Sequence, residues 1–106
     1  MTCWACRLAA GHPDEIRTRL WLFEPGLGIC VEDLHAKQYH TRLLFVPAVH
    51  IAASDMREAD IHAFKDLVEG RVLPSFYQSY PNLTLRAWDL YHHSFRVHWH
   101  LQACLL

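Results

Sequence analysis

The chain has 106 residues, a formal net charge of −1 and an apolar fraction of 52%. That supports one packed domain spanning residues 1–106, and the near-zero charge excludes a surface built mainly for nucleic acid, which would be strongly basic. No apolar run reaches the length of a membrane span, and MTCWACRLAAGH at the N-terminus lacks a signal-peptide core, so the expectation is a cytoplasmic chain with no membrane partner.

The first element predicted is a short helical turn through RLAA, directly after CWAC, ended by Gly11 and then Pro13. TRLWLF, Thr18 to Phe23, alternates as a strand, EPGLG is a turn, and ICVED, Ile29 to Asp33, is its hairpin partner. RLLFV, Arg42 to Val46, is almost continuously apolar, which predicts a central strand ended by Pro47. Ser54 is the expected N-cap of one long helix over Met56 to Val72, with Ile61, Phe64, Leu67 and Val68 as its buried stripe. Gly70 and Pro74 predict a kink or a second short turn towards Tyr80. Two further strands follow, Leu83 to Trp88 and Ser94 to Ala103. The expected fold is α+β: an antiparallel sheet of about five strands with one long helix.

Nine histidines stand out: His12, His35, His40, His50, His62, His92, His93, His98 and His100. Imidazole serves as metal ligand, base or nucleophile near neutral pH. Surface positions are expected for His12, His35, His62 and His92. Cys3 and Cys6 have the C-x-x-C spacing that lets two sulfurs reach one tetrahedral zinc. The alternatives are a redox pair, although the element order does not resemble a thioredoxin βαβ unit, or two small buried residues. His50, just past the central strand in VPAVHI, and His98 in the last strand are available as further ligands, and His40 could replace either.

In FRVHWHLQ, residues 95–102, His98, His100 and Gln102 alternate and so leave one face of a strand, with Val97 and Trp99 on the other. They could be polar residues of an exposed face, metal ligands, or a nucleophilic imidazole beside an amide that donates to a phosphoryl oxygen.

The order CWAC, VPAVHI, HWHLQ around one long helix resembles the histidine-triad superfamily, over most of the chain. Gln102 in place of a third histidine is similar to the H-x-H-x-Q branch that holds galactose-1-phosphate uridylyltransferase and the dinucleoside polyphosphate phosphorylases. That resemblance implies a structural zinc on Cys3, Cys6, His50 and His98. It implies that His100 attacks the α-phosphorus of a nucleotide or nucleoside phosphate ester, giving a nucleotidyl-histidine, with Gln102 on the phosphate. It also implies that Asp33 accepts from a ribose hydroxyl; read alone, Asp33 is equally a strand-ending turn residue. A homodimer is a further implication. A second register, with Arg96 first and His98 as nucleophile, loses the fourth zinc ligand. DLYHHSF occupies the place of the family's glycine-rich segment, and it motivates the alternative of a catalytically inactive, zinc-containing binding module.

Overall fold

The computed structural model describes residues 3–10, 18–33, 41–90 and 98–106. In chain order the elements are helix α1 (Trp4–Ala9), strands β1 (Thr18–Glu24), β2 (Gly28–Asp33) and β3 (Thr41–Pro47), a 3-10 turn (Ala53–Asp55), helices α2 (Glu58–Arg71) and α3 (Leu73–Ser79), and strands β4 (Leu85–Asp89) and β5 (Leu101–Leu105). The expected α+β class is present, with five antiparallel strands in the order β1-β2-β3-β5-β4. The apolar run RLLFV lies in the middle strand, as its pattern predicted.

The helix expected over Met56 to Val72 is α2, Glu58–Arg71, and a separate short helix, α3, follows towards Tyr80. Helix α2 stops at Arg71, Val72 caps it, and α3 begins afresh with Pro74 in its first turn. Proline has no N–H for the helical ladder and fits a first turn, so the break falls just ahead of Pro74. Ser54 is not the N-cap. It lies in the 3-10 turn, and Arg57 precedes α2 without a side-chain cap. The stripe itself holds: Ile61 and Val68 are buried, and Phe64 and Leu67 pack against the same core.

Both faces of the sheet are covered. Leu43 and Phe45 of β3 join Leu101, Ala103 and Leu105 of β5 beneath α2 and α3, with Phe76, Val68 and Trp99. The alternate residues, Leu44 and Val46, meet Ile29 and Val31 of β2 beneath α1, through Ala5, Leu8 and Ala9. Strand alternation therefore puts Asp33, Arg42 and Gln102 on the α1 face. On the helix side, buried Glu32 accepts from Thr41 Oγ1 at 3.1 Å, Trp21 Nε1 at 3.2 Å and the Tyr80 hydroxyl at 3.4 Å. Those donors satisfy a carboxylate that burial would otherwise penalise.

The closing strand is shorter than expected. It begins at Leu101, so His98, Trp99 and His100 form its lead-in, while residues 94–97 lie outside the described residues. Trp99 fixes that lead-in. Its side chain is fully buried against Phe64, its Nε1–H donates to Leu90 O at 2.9 Å, and its backbone N–H donates to Ile51 O at 2.7 Å. The last bond sets His98 beside the exit of β3. That exit is held in turn by Ala48 N–H, which donates to Leu27 O at 3.0 Å. Gly28 sits so close to β3 that a Cβ there would stand 2.5 Å from Val46 O.

Candidate metal centre and its neighbours

Four side chains from three parts of the chain meet at the end of the sheet beneath α1. Cys3 and Cys6 come from the start of α1, His50 from the segment after β3, and His98 from the lead-in to β5. Their ligand atoms all lie within 4.8 Å of one another, and the group could hold a metal ion. Cys6 Sγ is 3.0 Å from His50 Nδ1 and 3.3 Å from His98 Nδ1, and Cys3 Sγ is 3.5 Å from His98 Nδ1. The helical turn explains the cysteines: a C-x-x-C pair starting at an N-cap puts both sulfurs on one side of the first turn.

The tautomer of His98 follows from its partners. Its Nε2 lies 2.9 Å from the Pro47 carbonyl, which can only accept, so Nε2 carries the proton and the Nδ1 lone pair faces the two sulfurs. A metal-binding imidazole is commonly oriented by such a bond on its other nitrogen. Burial lowers the His98 pKa below its ordinary value; the Pro47 bond opposes this and His50 adds to it. The neutral ring that a metal needs is thus the favoured form. Burial, followed by the neighbouring Cys3 through its hydrogen bond and charge, raises the Cys6 thiol, so that thiol keeps its proton at neutral pH until a cation displaces it. His98 is buried and His50 exposed, which leaves the cluster open to solvent on one side.

Next along the lead-in, His100 is 4% exposed. Its Nδ1–H donates to the backbone oxygen of His98 at 3.1 Å, which puts the ring's lone pair on Nε2. Gln102 lies on the α1 face of β5, with its Oε1 accepting from Arg42 Nη1 at 3.4 Å. Asp33, at the end of β2, is buried and forms an ion pair with Arg42 Nη2.

The expected ligand set Cys3, Cys6, His50 and His98 is therefore brought together, with His100 as the next imidazole. Asp33 and Gln102 are connected to each other by Arg42, a residue that the motif pattern did not point to. A cation in an otherwise apolar strand, on the same face as Leu44 and Val46, was the signal available. Trp99 packs inward as expected, and His62 is exposed beside Glu58. His12, His35, His40, His92, His93, Arg96 and Val97 lie outside the described residues, and the second register with them. No helix among the described residues is long and apolar enough to cross a membrane. In comparisons with protein-family models, curated proteins and solved structures, nothing matches this chain.

Proposed function

We propose that the chain is a zinc-containing nucleotide hydrolase or nucleotidyltransferase of histidine-triad type, acting at an α-phosphate through a nucleotidyl-His100 intermediate. The observation that carries this reading is the convergence of Cys3, Cys6, His50 and His98. Those four residues are the ligand set of one register of the closing motif, and in that register His100 is the nucleophile. Two thiolates and two imidazoles suit zinc. On a tetrahedral zinc with ordinary bond lengths such ligands stand about 3.3–3.8 Å apart; three sulfur–nitrogen pairs here stand at 3.0, 3.3 and 3.5 Å, and the whole set lies within 4.8 Å. Zinc here would be structural, fastening α1 to the sheet.

The chemistry belongs to the chain's own groups. His100 holds a proton on Nδ1 through the His98 carbonyl, which supports a lone pair on Nε2 as the attacking group. Nε2 forms a bond to the α-phosphorus as the bond to the leaving oxygen breaks, and the leaving group departs with that electron pair. Gln102 donates its amide N–H to a non-bridging oxygen, where charge accumulates. In the second step water or another acceptor attacks phosphorus, the N–P bond breaks, and its electrons return to Nε2. The acceptor's proton passes to solvent. Splitting the transfer replaces one difficult displacement by two easier ones.

The burial of His100 favours a second reading, a zinc-containing module that binds nucleotide or partner without turnover. One experiment separates the two. The zinc-loaded chain is incubated with a panel of α-³²P-labelled nucleoside phosphate esters, quenched, and examined for label on histidine. Under the catalytic reading a labelled adduct forms, His100→Ala abolishes both adduct and turnover, and zinc content is unchanged. Binding without adduct or turnover across the panel establishes the non-catalytic module instead.

A further inference from the structure

Arg42 lies between Asp33 and Gln102, which the histidine-triad resemblance assigns to the ribose and the phosphate. It stands on β3, on the α1 face, and its side chain is 33% exposed. One end of its guanidinium pairs with Asp33, and Nη1 reaches Gln102 Oε1 at 3.4 Å, the long limit of a hydrogen bond. Nε is buried and has no acceptor among the described residues. Guanidinium carries five N–H donors and no acceptor, so this group holds donor capacity that its protein contacts leave unused. A planar fork of that kind is matched by phosphate oxygens.

Charge points the same way. Asp33 carries a negative charge on this face, and its sign repels a phosphate. Arg42 offsets it on the same face. Gln102 Oε1 lies towards the guanidinium, which leaves the amide nitrogen with its two hydrogens on the other side as a donor for a phosphoryl oxygen.

We propose that Arg42 is a phosphate-binding residue of this face, its guanidinium, held between Asp33 and Gln102, receiving the non-bridging oxygens of the phosphate that His100 faces. This rests on the reading of the face as a nucleotide site. The long bond to Gln102 is weak and easily exchanged for a phosphate contact. The competing account makes Arg42 only a structural partner of Asp33, and then its loss would act on charged and uncharged ligands alike.

The test is isothermal titration of the metal-loaded full chain with the common nucleoside 5′-monophosphates, their parent nucleosides and inorganic pyrophosphate. Wild type is expected to bind at least one monophosphate about ten- to a hundredfold more tightly than its nucleoside, the range of a charge-assisted contact. In Arg42→Gln most of that preference is lost, and pyrophosphate binding falls with it. Asp33→Asn breaks the same ion pair but spares the cation, so it keeps the preference. Arg42→Lys keeps the charge without the fork and retains part of it. If Arg42→Gln does not fold, a preference unchanged in Arg42→Lys overturns the proposal. So does a preference that survives undiminished in folded Arg42→Gln, or one lost equally in Asp33→Asn. A wild type that shows the Arg42-dependent preference but never forms the histidine adduct refutes the catalytic reading alone. One that forms the adduct, with the preference indifferent to Arg42, refutes this inference alone. Wild type that binds none of the probes overturns both.

Discussion

If Cys3, Cys6, His50 and His98 hold a metal as proposed, removing it should free α1 while leaving the sheet intact. The helix has six residues, too few to be stable in isolation, and it meets the sheet through Ala5, Leu8 and Ala9. Ordering six residues costs about 9 kcal/mol at roughly 1.5 kcal/mol each. Burying Leu8 and two alanine methyls returns about 4 kcal/mol. The bonds Arg7 N–H to Cys3 O and Ala10 N–H to Cys6 O, with the two i to i−4 bonds inside the helix, add about 1 kcal/mol each. The docked helix is then short of balance by about 1 kcal/mol, roughly fivefold in population, and the proposed ligation through Cys3 and Cys6 would make up the difference. Amide hydrogen exchange, with and without a strong chelator, reads this directly. The Arg7 and Ala10 amides should be protected in the metal-loaded chain and exchange at near-unfolded rates once it is stripped, while amides of β2 and β3 hold their protection. Full protection of Arg7 and Ala10 in the stripped chain would show that apolar contact alone docks the helix, and the reasoning above would be wrong.

Two further expectations concern the core. Burial alone pushes the Cys30 thiol up to about 12 from its ordinary 9.0, so the folded chain keeps its proton while the unfolded chain gives it up. Stability from this group is complete below pH 9 and declines as pH rises from 9 towards 12, by up to about 1.4 kcal/mol per pH unit; urea unfolding of Cys30→Ala should show a shallower alkaline loss, and an identical slope would refute the assignment. Trp99→Ala should cost about 3–5 kcal/mol through the cavity it opens, and Trp99→Phe about 1–3 kcal/mol because Leu90 O loses its donor. Equal losses in denaturant titrations of the two variants would mean that the indole bond, rather than packing, holds the lead-in to β5.

Much of the scaffold was legible because short-range patterns carry it. Alternation in TRLWLF and ICVED around a glycine-containing turn specifies a hairpin, and the almost continuously apolar run RLLFV specifies a central strand. The C-x-x-C spacing limits what Cys3 and Cys6 can do together, since sulfurs one helical turn apart can share an ion whatever surrounds them. Spacing says nothing of partners some ninety residues away. That His98 reaches Cys3 and Cys6 depends on Trp99 bonding to Ile51 and on Pro47 turning the Nδ1 lone pair of His98 towards the sulfurs. The late beginning of β5 likewise depends on how the lead-in packs against the sheet, which outweighs local propensity. Arg42 is the clearest case. In sequence it is the polar edge of an apolar strand, whereas in the sheet antiparallel register puts it opposite Asp33 and Cys104 and diagonal to Gln102. Residue types and spacing thus determined which groups could do chemistry, and strand register decided which of them share one face.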